Sequence, residues 1–92
     1  MRHFLNIRMD DAEGAVLRAI GLMERRGFQL VSCTAHEAQG GQQKMEVCLE
    51  STRPTDLIKR QLERLHDVQQ VEIIQAAPGW ADAAGNGQKA GA

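Results

Sequence analysis

The chain begins with an alternation of apolar and polar residues and then changes to a helical period. From His3 to Met9 the odd-numbered side chains share one face, which is typical of a half-buried strand. The next segment predicts a helix that ends at Gly27. Asp10 or Asp11 is expected to cap this helix, and Glu13 suits its positive end. The predicted core stripe of the helix comprises Ala12, Ala15, Val16, Ala19, Ile20 and Met23.

Two more strands follow, at residues 28–38 and 42–50, with a pair of glycines between them. Gly40-Gly41 predicts a two-residue hairpin turn, because primed turns need positive φ. That turn places Cys33 opposite Cys48 and Glu37 opposite Lys44. We expect free thiols, because the two cysteines would form a hydrogen-bonded pair, at which side chains diverge. Leu30 is expected to share the core face with Met45, Val47 and Leu49.

The second half of the chain adds one helix and one strand. Ser51 or Thr52 is expected to cap the helix and Pro54 to lie in its first turn, and residues 68–75 predict the last strand, with Val71 and Ile73 inward. The resulting β-α-β-β-α-β order predicts an α+β, ferredoxin-like sandwich with a four-stranded antiparallel sheet and both helices on one face. The other face and the sheet edges stay open, which favours dimer formation or docking. The apolar stripe of the second helix comprises Leu57, Ile58, Leu62 and Leu65.

Composition limits the possible functions. The 92 residues suit one small domain, which we place at residues 1–76. We expect a disordered tail at residues 77–92, in which Trp80 is the one large apolar side chain that could make a contact. Two Phe, one Trp and no Tyr leave an aliphatic core. A net charge of −1 argues against nucleic acid or an anionic membrane as partner. No stretch is long enough to span a membrane and no leader is evident, so we expect a cytoplasmic protein with reduced cysteines.

No set of residues has the pattern of a catalytic or metal site. The three histidines fall on different elements, and the two cysteines lack the Cys-x-x-Cys spacing of a metal chaperone. Phe4 alone cannot form the stacking platform of an RNA-binding sheet. An acidic metal loop at residues 10–13 is a weaker interpretation than helix capping. A small ferredoxin-like enzyme such as an acylphosphatase is disfavoured, since no nucleophile, base or phosphate loop is apparent.

The strand-to-helix turn at residues 10–14 has the best chemistry for a ligand. Backbone N–H groups at the start of a helix are free to bind a small anion, such as the carboxylate of an amino acid. Gly14 alone is weak evidence, because a glycine in a first helical turn can simply avoid a clash. Its significance depends on the pattern around it.

That pattern resembles a known family in both halves of the chain. The first half carries Gly14-Ala-Val-Leu-Arg18, Ile20-Gly-Leu22, Arg26-Gly-Phe28 and Ser32. The second carries Arg53-Pro-Thr-Asp-Leu57, Gln61-Leu62, Leu65, Asp67-Val68 and Val71. Together they resemble the ACT domain of acetolactate synthase (acetohydroxyacid synthase) small regulatory subunits, in the short, single-domain form of the isozyme II type. The resemblance covers residues 3 to 75.

The resemblance implies a regulatory role beside a separate enzyme. The partner would be the large catalytic subunit of acetolactate synthase, which carries thiamine diphosphate, Mg²⁺ and FAD, while this chain would hold no cofactor. The large subunit makes the first intermediates of valine, leucine and isoleucine synthesis. The small subunit raises its activity and in many members binds valine. Two ACT domains are expected to pair through sheet edges, with the second strand as the favoured edge.

The resemblance also implies where an effector would bind. One chain would supply the turn Asp11, Ala12, Glu13, Gly14 and Ala15, with Leu17 close by, and its neighbour would supply Gln29, Leu30 and Val31.

Valine-sensitive members usually have Asn where this chain has Asp11 and Gln29. A carboxylate at Asp11 would repel a bound carboxylate by about 4 kcal/mol at 4 Å, unless it turns toward the ammonium group or caps the helix. The expectation is therefore an activating subunit with a weakened valine response, in line with the valine resistance of the isozyme II type. The alternative is a free-standing ACT sensor that regulates another protein.

Overall fold

The computed structural model describes residues 1–75 and 77–80 and confirms the predicted fold class. The sheet is antiparallel throughout with the order β2-β3-β1-β4, so β2 and β4 lie at its edges. Both helices cover one face of the sheet, as expected for a ferredoxin-like sandwich. The elements are β1 (Arg2–Asp10), α1 (Ala15–Arg25), β2 (Gln29–Glu37), β3 (Gln42–Glu50), α2 (Thr55–Glu63) and β4 (Val68–Ile74).

The core lies between the sheet and the two helices and is aliphatic apart from Phe28. The odd-numbered side chains from His3 to Met9 are all buried, which confirms the predicted inward face of β1. Leu30 packs against this core, as predicted, and so do Val71 and Ile73 of β4. Ala12 was expected in the helical stripe and is exposed instead, because α1 begins three residues later. The buried residues contributed by β3, α1 and α2 are Met45, Val47, Leu49, Ala15, Ala19, Leu22, Met23, Ile58 and Leu62.

Helix α1 ends where the sequence predicted, in a Schellman motif. The amide of Gly27 donates to the carbonyl of Glu24 at 3.1 Å, and the amide of Phe28 donates to the carbonyl of Met23 at 3.0 Å. Met23 and Phe28 are both fully buried, which supplies the apolar contact that accompanies this motif. The motif therefore fixes how the chain leaves α1 and enters β2.

Both predicted side-chain caps are wrong. Gly14 is the N-cap of α1 and Pro54 is the N-cap of α2, and neither helix has a side-chain capping bond. Asp10 belongs to β1, where its carboxylate accepts from Gln69 Nε2 at 2.8 Å. The hydroxyl of Ser51 is used in a tertiary contact with the turn after α1 rather than in α2. Sequence spacing alone did not distinguish these uses of the same polar side chains.

The predicted register of the β2–β3 hairpin is wrong by one residue. The amide of Ala38 donates to the carbonyl of Gln42 at 2.8 Å, which leaves a three-residue loop containing both glycines in the left-handed region. Cys33 consequently lies opposite Val47, and Cys48 lies opposite Ser32. Both thiols are free, as expected. The predicted pair of Glu37 and Lys44 is absent, and His36 and Glu46 are hydrogen-bonded instead, with Nε2 and Oε1 2.6 Å apart.

The predicted tail falls partly outside the described residues, since 76 and 81–92 are not among them. Within the described part, Trp80 lies edge-on to Phe4 with ring centroids 6.1 Å apart. This contact lies on the sheet face opposite the helices. Among the described residues, no helix combines the length and the apolar character that crossing a membrane requires.

Candidate functional site

The turn between β1 and α1 is held by two neighbouring loops. The amide of Asp11 donates to the carbonyl of Gly41 at the hairpin tip, at 2.8 Å. The amide of Asp10 donates to the carbonyl of Asp67 before β4, also at 2.8 Å. Gly14 then turns the chain into α1 with φ 77° and ψ 0°, a left-handed conformation that a side chain would strain. The start of the turn is thus fixed by backbone bonds to two loops.

The first turn of α1 has donors available for an anion. The amide of Ala15 is occupied, because it donates to the carbonyl of Ala12 at 3.1 Å. The amides of Val16 and Leu17 find no backbone acceptor within the described part of the chain. Leu17 is also one of two large apolar side chains that are strongly exposed there, at 73%. The turn therefore combines free N–H groups with an exposed apolar side chain, which suits a small amphipathic ligand.

Arg18 adds a positive charge that sequence reasoning did not assign to the site. Its Nε and Nη2 atoms donate to Oδ2 of Asp67 at 2.9 and 2.6 Å. Its third guanidinium nitrogen, Nη1, would lie 2.9 Å from a Cβ atom placed on Gly14. Since Nε and Nη2 face Asp67, Nη1 is the guanidinium nitrogen nearest the turn. The i, i+4 spacing of Gly14 and Arg18 was the one local signal for this contact.

The charge that matters most for a bound carboxylate at this turn is that of Asp11. The Asp11 carboxylate is exposed and accepts no side-chain hydrogen bond from the residues that the structure describes. Its repulsion of a bound carboxylate is therefore screened by solvent and falls below the unscreened figure of about 4 kcal/mol. Arg18 lies beside the same turn, where its charge is paired with Asp67 and its Nη1 atom remains on the side of Gly14.

The second predicted segment opens β2. Gln29 is exposed and lies opposite Glu50, while Leu30 is partly buried opposite Leu49. Val31 occupies an irregularity in the ladder, since the register shifts between Leu30 and Ser32. A hydrogen bond from the N-terminal ammonium group, with Arg2 Nε also 2.9 Å away, lowers the pKa of Glu50. This end of the sheet thus presents the amide side chain of Gln29 beside the Glu50 carboxylate, whose charge is already paired with the N-terminal ammonium group and Arg2.

The two segments of the predicted effector site, the Gly14 turn and residues 29–31, lie at opposite ends of the sheet within one chain. The Gly14 turn follows the last residue of β1, whereas Gln29 lies beside the end of β3 that pairs with the first residue of β1. A nine-residue strand separates them, which corresponds to about 25 Å. One small ligand cannot contact both halves of the same chain. A site that uses both needs a second copy.

Comparison with known proteins assigns the fold to a family. The family described as "ACT domain" matches residues 11–71, most of the described chain. The chain belongs to the ACT domain family. The ACT domain is a regulatory, amino-acid-binding fold. No curated protein sequence matches this ACT domain.

Solved structures from several enzymes resemble this ACT domain. The acetolactate synthase small subunit from Thermotoga maritima has a TM-score of 0.75 and 24% identity over 85% of the chain, which spans 50% of that subunit. The ACT domain from GTP pyrophosphokinase of Chlorobium tepidum has a TM-score of 0.66 and 16% identity, with coverage of 80% and 97%. Formyltetrahydrofolate deformylase from Burkholderia mallei has a TM-score of 0.64 and 19% identity, with coverage of 85% and 29%. At these identities the similarities show the fold.

His3 and Cys33 of this ACT domain occupy structural positions. His3 is buried, its Nε2 lies 3.1 Å from the carbonyl oxygen of Ser51, and its ring packs edge-on to Phe28. Burial raises the pKa of the Cys33 thiol, so this cysteine is less reactive than a free one. Within the described residues no group of three or more His, Cys, Asp or Glu side chains could hold a metal ion.

Proposed function

We propose that this ACT domain is the activating, regulatory small subunit of a cytoplasmic acetolactate synthase in branched-chain amino-acid biosynthesis. The observation that carries the proposal is that both halves of the sequence resemblance meet in space. Gly14 and Arg18 come from the first half and Asp67 from the second. The amide of Arg18 donates to the carbonyl of Gly14 at 2.9 Å, and its guanidinium donates to the Asp67 carboxylate at 2.6 Å. The similarity in fold to the Thermotoga maritima small subunit supports the same assignment. Catalysis, with thiamine diphosphate, Mg²⁺ and FAD, belongs to the large subunit.

The proposed effector site lies between two copies of the chain. Two ACT domains would pair through the exposed β2 edge, so that the Gly14 turn of one chain meets Gln29, Leu30 and Val31 of the other. The free amides and Arg18 would bind the carboxylate of valine or a similar amino acid. Asp11 would weaken this binding and leave activation unaffected. An effector can change activity only if it binds differently to the active and inactive states.

The test is a pyruvate-consumption assay of the cognate large subunit loaded with its cofactors. Rates are measured with and without this chain, each with and without valine. We expect activation with little inhibition by valine. Gly14→Asp should remove any residual valine response and retain activation, and Gly40→Asp is the matched control, because a Cβ at Gly40 meets nothing within 4 Å. Absence of activation by the unmodified chain would contradict the proposal.

A free-standing amino-acid sensor is the second candidate. The observation in its favour is that ACT domains of other proteins, among them the one from GTP pyrophosphokinase, also resemble this fold. This function predicts a thermal shift with one amino acid and no effect on acetolactate synthase. Ligand at a hundred times its dissociation constant should stabilise the folded state by about 2.7 kcal/mol. A screen of the twenty amino acids that shows no shift would argue against it.

A further inference from the structure

Three arginines line one cleft between the helices, which we call the arginine cleft. Arg25 and Arg26 come from the end of α1 and Arg53 from the loop before α2, while Leu57 and Gln61 of α2 complete the lining. Within the part of the chain that the structure describes, none of the three arginines forms an ion pair. Other cationic side chains do find carboxylates there, among them Arg2, Arg18, Lys59 and Arg60. Three positive charges without a paired carboxylate therefore lie together in this cleft.

The backbone that carries these arginines is held in place by hydrogen bonds of the buried Ser51. Ser51, which is 7% exposed, donates to the carbonyl of Gly27 at 2.8 Å and accepts from the amide of Arg53 at 3.0 Å. A Cβ atom on Gly27 would lie 2.8 Å from Nε of Arg53, so this side chain passes directly over the turn after α1. The Schellman motif holds Arg26 in the same turn. The backbone beneath the cleft is thus fixed by the fold.

Stabilisation of a helix end explains only part of this cluster. Cations at the C-terminal end of a helix interact favourably with its dipole, which accounts for Arg25 and Arg26. Arg53 has the opposite placement, since it directly precedes Pro54, the N-cap of α2, where positive charge is unfavourable. An anion in the cleft would compensate all three guanidinium groups and also face the first turn of α2.

We propose that the arginine cleft docks an acidic segment of the catalytic partner, with Asp or Glu side chains inserted between the guanidinium groups. This inference rests on the proposed function. Arginine matches carboxylates in bidentate geometry, and Leu57 offers the apolar contact that a peptide side chain can use. The cleft has a volume of about 200 Å³, below the range of about 300–1,000 Å³ that is usual for small-molecule pockets. One or two carboxylate side chains suit it better than a cofactor.

In each chain the arginine cleft lies next to residues 29–31, the segment that this chain would contribute to an effector site shared with a second copy. Gly27, whose carbonyl accepts from Ser51, is two residues from Gln29. A ligand bound against Gln29 would therefore lie beside the docking surface of that chain. The Gly14 turn of the same chain lies at the far end of the sheet, so substitutions in the cleft leave that turn intact.

The test is a titration of the large subunit with three proteins: the unmodified chain, Arg26→Gln/Arg53→Gln and Arg8→Gln/Arg64→Gln. The third protein is the matched control. Arg8 and Arg64 are exposed and also lack ion pairs within the described residues, and their substitution removes the same amount of charge. Activation and direct binding by sedimentation are both measured over a range of KCl. The cleft variant should raise the half-maximal concentration about tenfold, with an unchanged maximal rate and a shallower salt dependence. The control should match the unmodified chain.

Each other outcome has a definite meaning. If the cleft variant titrates like the unmodified chain, or if the control loses as much, the docking inference is wrong and the proposed function stands. If the unmodified chain neither binds nor activates, the proposed function fails and the inference fails with it. Circular dichroism checks folding, and Arg25→Gln/Arg26→Gln replaces the cleft variant if removal of Arg53 disturbs the fold.

Discussion

Ser51 provides a direct test of how the β3–α2 loop is stabilised. The sequence favours Ser51 or Thr52 as a helix cap, whereas in the structure the Ser51 hydroxyl bridges the end of α1 to the amide of Arg53. Thr52 is exposed. Ser51→Ala and Thr52→Ala therefore remove the same chemical group from adjacent positions, and the two interpretations predict different costs.

The expected magnitude follows from the two partners of the hydroxyl. Ser51→Ala leaves the carbonyl of Gly27 and the amide of Arg53 without their protein partner, and each group costs about 1–3 kcal/mol if water cannot replace the hydroxyl. Because both contacts are only partly buried, we take the lower end for each and expect a total loss of about 2 kcal/mol. For a domain of this size that corresponds to a fall in Tm of about 8–16 °C. Thr52→Ala should stay within about 0.5 kcal/mol.

The assay is urea unfolding of both variants and of the unmodified chain, followed by circular dichroism at 222 nm. Equal m-values would show that the extent of unfolding is the same and that midpoints report stability. A loss in Thr52→Ala equal to that in Ser51→Ala would show that the loop is stabilised by helix capping after all. Two neutral variants would show that solvent replaces the bridge, and would contradict the argument that it fixes the arginine cleft.

Three further predictions test other parts of the fold. Gly14→Ala and Gly40→Ala should each lose about 1–2 kcal/mol from the left-handed backbone, and Gly14→Ala should lose more, since its Cβ displaces Arg18; equal unfolding midpoints would contradict this. Because burial raises the pKa of the Cys33 thiol, its alkylation should reach half of the maximal rate at a higher pH than alkylation of a free thiol. The free energy of unfolding should fall as the pH rises past the pKa of a free thiol, because the thiol ionises first in the unfolded chain. Met45→Ala removes a fully buried side chain and should cost about 2–5 kcal/mol in thermal unfolding.

The order and type of the elements could be predicted because burial imposes a period that is visible locally. The hairpin register could not be predicted from the glycine pair, because two adjacent glycines also suit a three-residue loop. The pattern of β2 itself contained a better signal. The predicted register would have turned Ser32 and Thr34 toward the helices, whereas the observed one packs Cys33 against the core opposite Val47 and places Ala35 on the same face opposite Met45. An irregularity at Val31 then returns Leu30 to the core face.

The candidate site was predictable in outline and missed in its charges. The Gly14 turn follows from the change of period at the end of the first strand. The hydrogen bonds between Arg18 and Asp67 join residues that are 49 positions apart, and no local sequence pattern predicts a contact at that separation. The expected side-chain caps failed for a related reason, since Asp10 and Ser51 found tertiary partners that compete with capping.

Under the proposed function, the position of α1 connects the two surfaces on which regulation depends. Its N-terminal end carries the Gly14 turn and Arg18, and its C-terminal end carries the arginine cleft. In a dimer, an effector at the turn of one chain would touch Gln29 of its neighbour, two residues from the Gly27 carbonyl that holds Ser51. A change in the effector site therefore needs to cross only a few residues to reach the neighbour's docking surface. Regulation of this kind predicts that substitutions in the cleft change affinity for the catalytic subunit, whereas Asp11 and Gly14 change only how that affinity responds to an amino acid.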